Sequence, residues 1–253
     1  MKKKIEKKNR LPAGVTEALA AFGLILAVIL LVVLFRPPEQ PPQAPVQTTA
    51  ATTTAAEQFV RLEVDGLPLS LGGGISLTGL YAADAVFPED GSSRPVENVL
   101  CAVVRNDSGK TLEYMTFTLQ CGEELREFSV TTLPASREAY VFEKNAAQAP
   151  QTTAELKAES QIQLFFDEEP QLMEDQLRIT VRNGSIEVCN ISDAAIKHEI
   201  QVYYKNTRAN AYFGGITYFL RIPEGLAEGE TYNAYAAHAD VDRSEVMFVK
   251  YGN

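Results

Sequence analysis

The densest group of ionisable side chains lies in FFDEEPQLMED, where Asp167, Glu168, Glu169, Glu174 and Asp175 share one short segment between apolar neighbours. Clustered carboxylates supply hard oxygen ligands for a divalent cation, or the acid and base of a hydrolase. No loop with defined ligand spacing surrounds these five, so a solvated acidic connector is the plain alternative to an ion site. A sharper pattern occurs in AAHADVDRSE: His238, Asp240 and Asp242 alternate, and an extended chain would project all three from one face. One imidazole and two carboxylates suit a divalent cation. A complete site needs further ligands that the sequence does not identify, and Asp, Arg and Ser are ordinary loop residues. The other histidine, His198 in IKHEIQVYY, shares its parity with Ile196, Ile200, Val202 and Tyr204, which reads as a histidine at a core edge or on the surface.

Aromatic residues offer a lead of another kind. The run YYKNTRANAYFGGITYF carries six aromatics beside Lys205 and Arg208. If they lie in a loop, Tyr203, Tyr204, Arg208, Tyr212 and Phe213 make a contact surface, since Tyr and Arg dominate compact recognition sites. If they lie on strands, alternation sends most of them into a core. No GxSxG, Walker-type, HExxH, CxxC or dinucleotide-binding fingerprint is present, so neither an enzyme nor a cofactor is expected. The glycines of LGGGIS precede a strand-like ISLTGLY rather than a helix, which makes them a turn and not a phosphate cradle. Three Asn-x-Ser triplets begin at Asn106, Asn183 and Asn190, all at expected turns or strand ends, where backbone chemistry suffices to explain them.

These residues are positioned by a chain of uneven character. Residues 1–17 form a lysine-rich tail, and Ala18 to Phe35 follow with 18 uncharged residues, about the length that crosses a bilayer as a helix. The run is longer than a signal-peptide core and ends at Phe35-Arg36-Pro37-Pro38, a poor processing site, with no cysteine nearby for lipid attachment. A single-pass anchor over residues 18–36 with its basic end in the cytoplasm is therefore expected. Residues 37–58 are rich in Pro and Thr and read as an extracytoplasmic linker. The formal charge is −10, and removing the first 36 residues, with seven Lys/Arg and two Glu, leaves −15 outside. Such a body disfavours nucleic acid. The cysteines, odd in number at Cys101, Cys121 and Cys189, provide no disulfide framework. Cys101 and Cys121 are open to pairing in an oxidising compartment. The hairpin expected between their strands sets Cys101 opposite about Phe117, so buried free thiols are the expected state.

From Phe59 onward the pattern is β throughout. VENVLCAVVRN is apolar on both parities, turns at DSGK, and meets a strand in which Met115, Phe117, Leu119 and Cys121 alternate with polar residues. EELREFSVTTLPA and REAYVFEKN supply two more strands, and IQLFF closes a sheet. In LRITVRNGSIEVCN, Asn183-Gly184 marks a type I′ hairpin that pairs Val181 with Ile186 and Ile179 with Val188. NISDAAIKHEIQVYYKN then repeats the layout of NDSGKTLEYMTFTLQCG, with Asn190 answering Asn106 after 84 residues and Ile222-Pro223 answering Leu133-Pro134 after 89. The expected fold is all-β: two tandem antiparallel β-sandwich modules of immunoglobulin-like type, residues 59–169 and 170–253, after one N-terminal transmembrane helix.

ISLTGLYAADAVFPEDGSSRPVENVLCAVVRNDSGKTLEYMTFTL, the LPAS turn and the tail GGITYFLRIPEGL…SEVMFVKYG together resemble membrane-anchored exported proteins of Firmicutes-type bacteria with tandem β-modules. The resemblance spans about Gly74 to Gly252, implies an exported β-protein and carries no catalytic residues. The leading functional expectation is binding or assembly with an envelope protein or cell-wall partner. An accessory ligand- or ion-sensing subunit acting through a membrane partner is the second expectation, and a cell-wall hydrolase is the third.

Overall fold

Each half of the chain lays down six strands with the same pairing scheme. The computed structural model describes residues 57–252 apart from 152, 154 and 155. In the first half these strands are β3 (Ile75–Val86), β4 (Pro95–Asn106), β5 (Leu112–Cys121), β6 (Glu124–Leu133), β7 (Glu138–Phe142) and β8 (Lys157–Phe165). In the second half they are β9 (Leu177–Arg182), β10 (Ser185–Asn190), β11 (Ile200–Arg208), β12 (Ala211–Ile222), β13 (Thr231–Tyr235) and β14 (Ser244–Tyr251). The pairs β3–β4, β4–β7, β5–β6 and β5–β8 are antiparallel. So are their counterparts β9–β10, β10–β13, β11–β12 and β11–β14. Two short strands, β1 (Gln58–Arg61) and β2 (Leu69–Gly72), precede the first set and pair with β3.

In both halves an asparagine turns the chain from one sheet into the other. Asn106 is fully buried; its Nδ2 donates to Lys110 O and Leu133 O, and its Oδ1 accepts from the amide and hydroxyl of Ser108. Asn190 repeats this with Ala194 O, Leu226 O and Ala227 O as acceptors and Ser192 as donor. A buried amide with all its hydrogen bonds made is stable, whereas the strand-end carbonyls it satisfies would be costly to leave bare. These turns correct one expectation. β4 and β5 form no hairpin; they lie in different sheets, because β4 is apolar on both parities and requires cover on both faces.

The sheets of each half pack through a common core. Leu77, Leu100 and Val104 of one sheet share a cluster with Met115, Phe117 and Phe128 of the other. Ile186 and Val188 do the same with Val202 and Leu220 in the second half. The halves join edge to edge: β7 and β12 run parallel, with Ala139 opposite Tyr212 and Tyr140 opposite Phe213. One eight-stranded sheet therefore runs through both halves, and three-stranded sheets β6–β5–β8 and β9–β10–β13 complete the fold. All described residues belong to one compact unit, Thr54–Asn253. The division expected at residue 170 falls in the connection from β8 to β9.

The register of the second hairpin is the expected one, Val181 opposite Ile186 and Ile179 opposite Val188. Its turn differs: of its two central residues only Gly184 has a positive φ, 76°, so it is not type I′, and Asn183 instead accepts the Val241 amide. The LGGGIS glycines form the β2–β3 turn, and a Cβ on Gly74 would lie 2.6 Å from the backbone of Ser108. All three cysteines are free and buried. Among the described residues no helix is long and apolar enough to cross a membrane. The basic tail, the expected span at 18–36 and all but the last two residues of the linker lie outside the described residues.

Candidate functional site

A cleft of about 340 Å³ opens where the β3–β4 turn meets β11, β12 and the β13–β14 turn, so both halves contribute to its walls. The β13–β14 turn is organised by Asp240. Its carboxylate accepts the Asp242 amide at 2.9 Å and Arg243 Nε at 3.2 Å, and its own amide donates to Ser244 Oγ. Ser244 Oγ donates to Asn206 Oδ1 at 2.5 Å, and Asn206 Nδ2 donates to His238 O, so β11 holds the turn in place. The His238 ring lies against Tyr218 at 4.5 Å and 21°, with Ser93 Oγ 3.1 Å from its Nδ1. On the opposite side Arg208 lies 3.9 Å above the Phe59 ring and donates from Nε to Glu57 at 3.2 Å. Such stacking fixes a guanidinium by cation–π attraction while leaving its terminal amino groups accessible.

Beside the cleft lie two buried side chains of opposite charge, one from each half, that influence each other through space without a direct contact. Lys205 is fully buried, and its Nζ donates to Thr131 O, Gly215 O and Ile216 O at 2.9, 3.0 and 2.7 Å. Glu89 is half-buried as a residue, but its carboxylate is enclosed and accepts the Phe142 and Gly215 amides at 2.9 and 2.8 Å. Burial pushes the Glu89 carboxyl up, while those amides and the Lys205 ammonium pull it back down; burial likewise pushes Lys205 down against the attraction of Glu89. All three ammonium protons have carbonyl acceptors and the carboxylate has only donors around it, an arrangement that fits the ionised pair. Gly215 is required at this point, because a Cβ would lie 1.9 Å from Ser129 O. Burial also raises the Tyr204 phenol to about 12 and lifts Tyr218 further.

The structure separates the residues that the sequence grouped. His238 and Asp240 both line the cleft, but the Asp240 carboxylate is engaged within its own turn and Asp242 is exposed. Asp167, Glu168, Glu169, Glu174 and Asp175 do not converge either; Glu169 accepts the Thr111 hydroxyl at 2.5 Å. Among the described residues no three His, Cys, Asp or Glu side chains are placed to hold a metal ion. His198 is exposed.

The aromatic run is likewise divided. Tyr204, Tyr212 and Phe213 are buried, because the expected loop is a β-hairpin and β12 is covered on both faces, Tyr212 joining one core cluster and the adjacent Phe213 another. Tyr203 lies in a stack between Phe248 at 4.3 Å and Phe219 at 5.7 Å. Arg208 and Phe213 come together in the cleft. Ser93, Tyr218, Arg243 and Glu57 were not legible as site residues, since they converge only through the joining of the halves. Lys205 did carry a signal, a cation directly after the apolar and aromatic residues of β11 in an acidic body.

No protein-family model matches the chain, and neither a curated protein nor a solved structure is similar to it.

Proposed function

We propose that this is a single-pass membrane-anchored protein whose bulk lies outside the cytoplasm and whose two tandem β-sandwich, immunoglobulin-like modules act as one contact unit in the cell envelope. The observation that carries this reading is the junction. A shared sheet, the Lys205 bond to Thr131 O and the Gly215 amide bond to Glu89 fix the modules to each other, so a cleft built from both keeps one geometry. Fixed geometry lowers the ordering cost of recognition, which suits binding rather than turnover. The lysine cluster followed by 18 uncharged residues supports the anchor, and the charge of the outer portion argues against nucleic acid as a partner. The same cleft favours a second reading, an accessory subunit that senses a ligand and acts through a membrane partner.

Two measurements test the proposal. Protease added outside intact cells should degrade everything after the stalk and spare the N-terminal tail; full protection of the chain refutes the topology. Affinity purification of the tagged, membrane-extracted chain should recover a stoichiometric envelope partner, and recovery of the chain alone counts against assembly.

A further inference from the structure

We propose that the cleft between the halves binds a short neutral saccharide, with the Tyr218–His238 stack as its apolar wall and Arg208, Arg243 and Ser93 as its hydroxyl-binding groups. The inference deepens the envelope-binding reading and rests on it only for the choice of probes. Its first support is the balance of charge. Arg208 is matched by Glu57 and Arg243 by Asp240, each at 3.2 Å, so the lining charges cancel. An anion would gain no net attraction there and would be repelled by a body of charge −15, while a metal cation would face two guanidinium groups. A neutral ligand meets neither penalty.

The second support is the supply of hydrogen bonds. Each guanidinium commits Nε to a carboxylate, and its terminal amino groups have no hydrogen-bond partner among the described residues. Glu57 and Asp240 hold their remaining lone pairs beside them. Each pair thus offers a donor and an acceptor side by side, as sugar hydroxyls require, because each hydroxyl both donates and accepts. The third support is His238, which is stacked on Tyr218, itself stacked on Tyr204, so that the imidazole is the end ring of the stack and lines the cleft for the C–H face of a sugar. The fourth is size: about 340 Å³ lies at the low end of ligand sites, room for one or two rings.

The test is a calorimetric titration of the full chain, held in a detergent without a sugar headgroup, with chitobiose, cellobiose, maltose and sodium citrate, each to about 10 mM. At least one of the three disaccharides should bind, and citrate should not. The variants H238A and R243A should each weaken binding about tenfold or more without lowering the melting temperature, and Y235S, at a residue 82% exposed outside the cleft, should bind as the parent does. If both cleft variants melt early, S93A provides the same reading from a lighter change. Absence of binding by all three disaccharides overturns the proposal, as does binding of citrate that is lost in R243A. Protease accessibility and partner recovery do not depend on this titration, so its failure leaves the envelope reading standing.

Discussion

The two halves share a strand scheme and an asparagine turn but treat their outer edges differently. In the first half β1 and β2 pair along the free edge of β3, and Leu62, Val64, Leu67 and Leu69 close the side of the core. In the second half the equivalent strand β9 ends its sheet, and Met173, just before it, packs against the core. The halves also use opposite sheets at the junction: β7 belongs to the β3–β4–β7 set of its half, β12 to the β12–β11–β14 set of the other. A shared fold scheme therefore fixes each core, and the departures from it create the joint and the cleft.

The largest predicted effect breaks the joint. Lys205→Met leaves Glu89 as an enclosed carboxylate without its counter-charge and should cost about 3–5 kcal/mol in denaturant unfolding. A double variant, Glu89→Leu with Lys205→Met, should recover much of that loss. Strictly additive losses would show that the two side chains do not act as a pair.

Next in size are the paired turns. Asn106→Ala and Asn190→Ala should each cost about 1–3 kcal/mol by stripping buried carbonyls of their donor. Because Asn190 Nδ2 reaches three carbonyls and Asn106 Nδ2 two, Asn190→Ala should lose at least as much. A negligible effect at one of them would remove the energetic equivalence of the turns.

The alkaline limit comes third. Tyr204 has its phenol raised to about 12 in the folded chain, against roughly 10 when unfolded. A raised pKa means that the associated stability is complete below pH ~10 and is lost as pH rises toward about 12. Melting temperature should fall across that window as tyrosinate absorbance rises, and Tyr204→Phe should blunt the fall. A flat profile to pH 12 would show that the phenol ionises without unfolding. The smallest effect concerns the edges: Ile179 and Val181 amides on β9 should exchange with deuterium faster than those of Leu77 and Leu80 on β3, and equal protection would mean that something covers β9 as well.

Much of the strand layout was legible because it depends on local pattern. Alternation in Met115 to Cys121, the Asn-Gly register at residues 183–184 and the 84-residue spacing of Asn106 and Asn190 all follow from side-chain period and turn chemistry. The partners of β4 were not, since apolarity on both parities says that a strand is covered on both faces and not by which strand. The cleft was legible only in fragments. Arg208 and His238 drew notice by type, but Ser93 reaches His238 across 145 residues and Glu57 reaches Arg208 across 151. No local period encodes contacts of that range. The buried aromatics failed for a related reason: Tyr204 and Tyr212 satisfy a loop and a strand reading equally until the hairpin register places them.

The shared sheet requires the two halves to behave as one body. The chain has no tryptophan, so a single reporter placed at Tyr114→Trp in the first half or Tyr232→Trp in the second reads each half separately during denaturant unfolding of the full chain. Superimposable transitions with one midpoint are expected from both reporters. Two midpoints, with one half unfolding while the other stays folded, would contradict it.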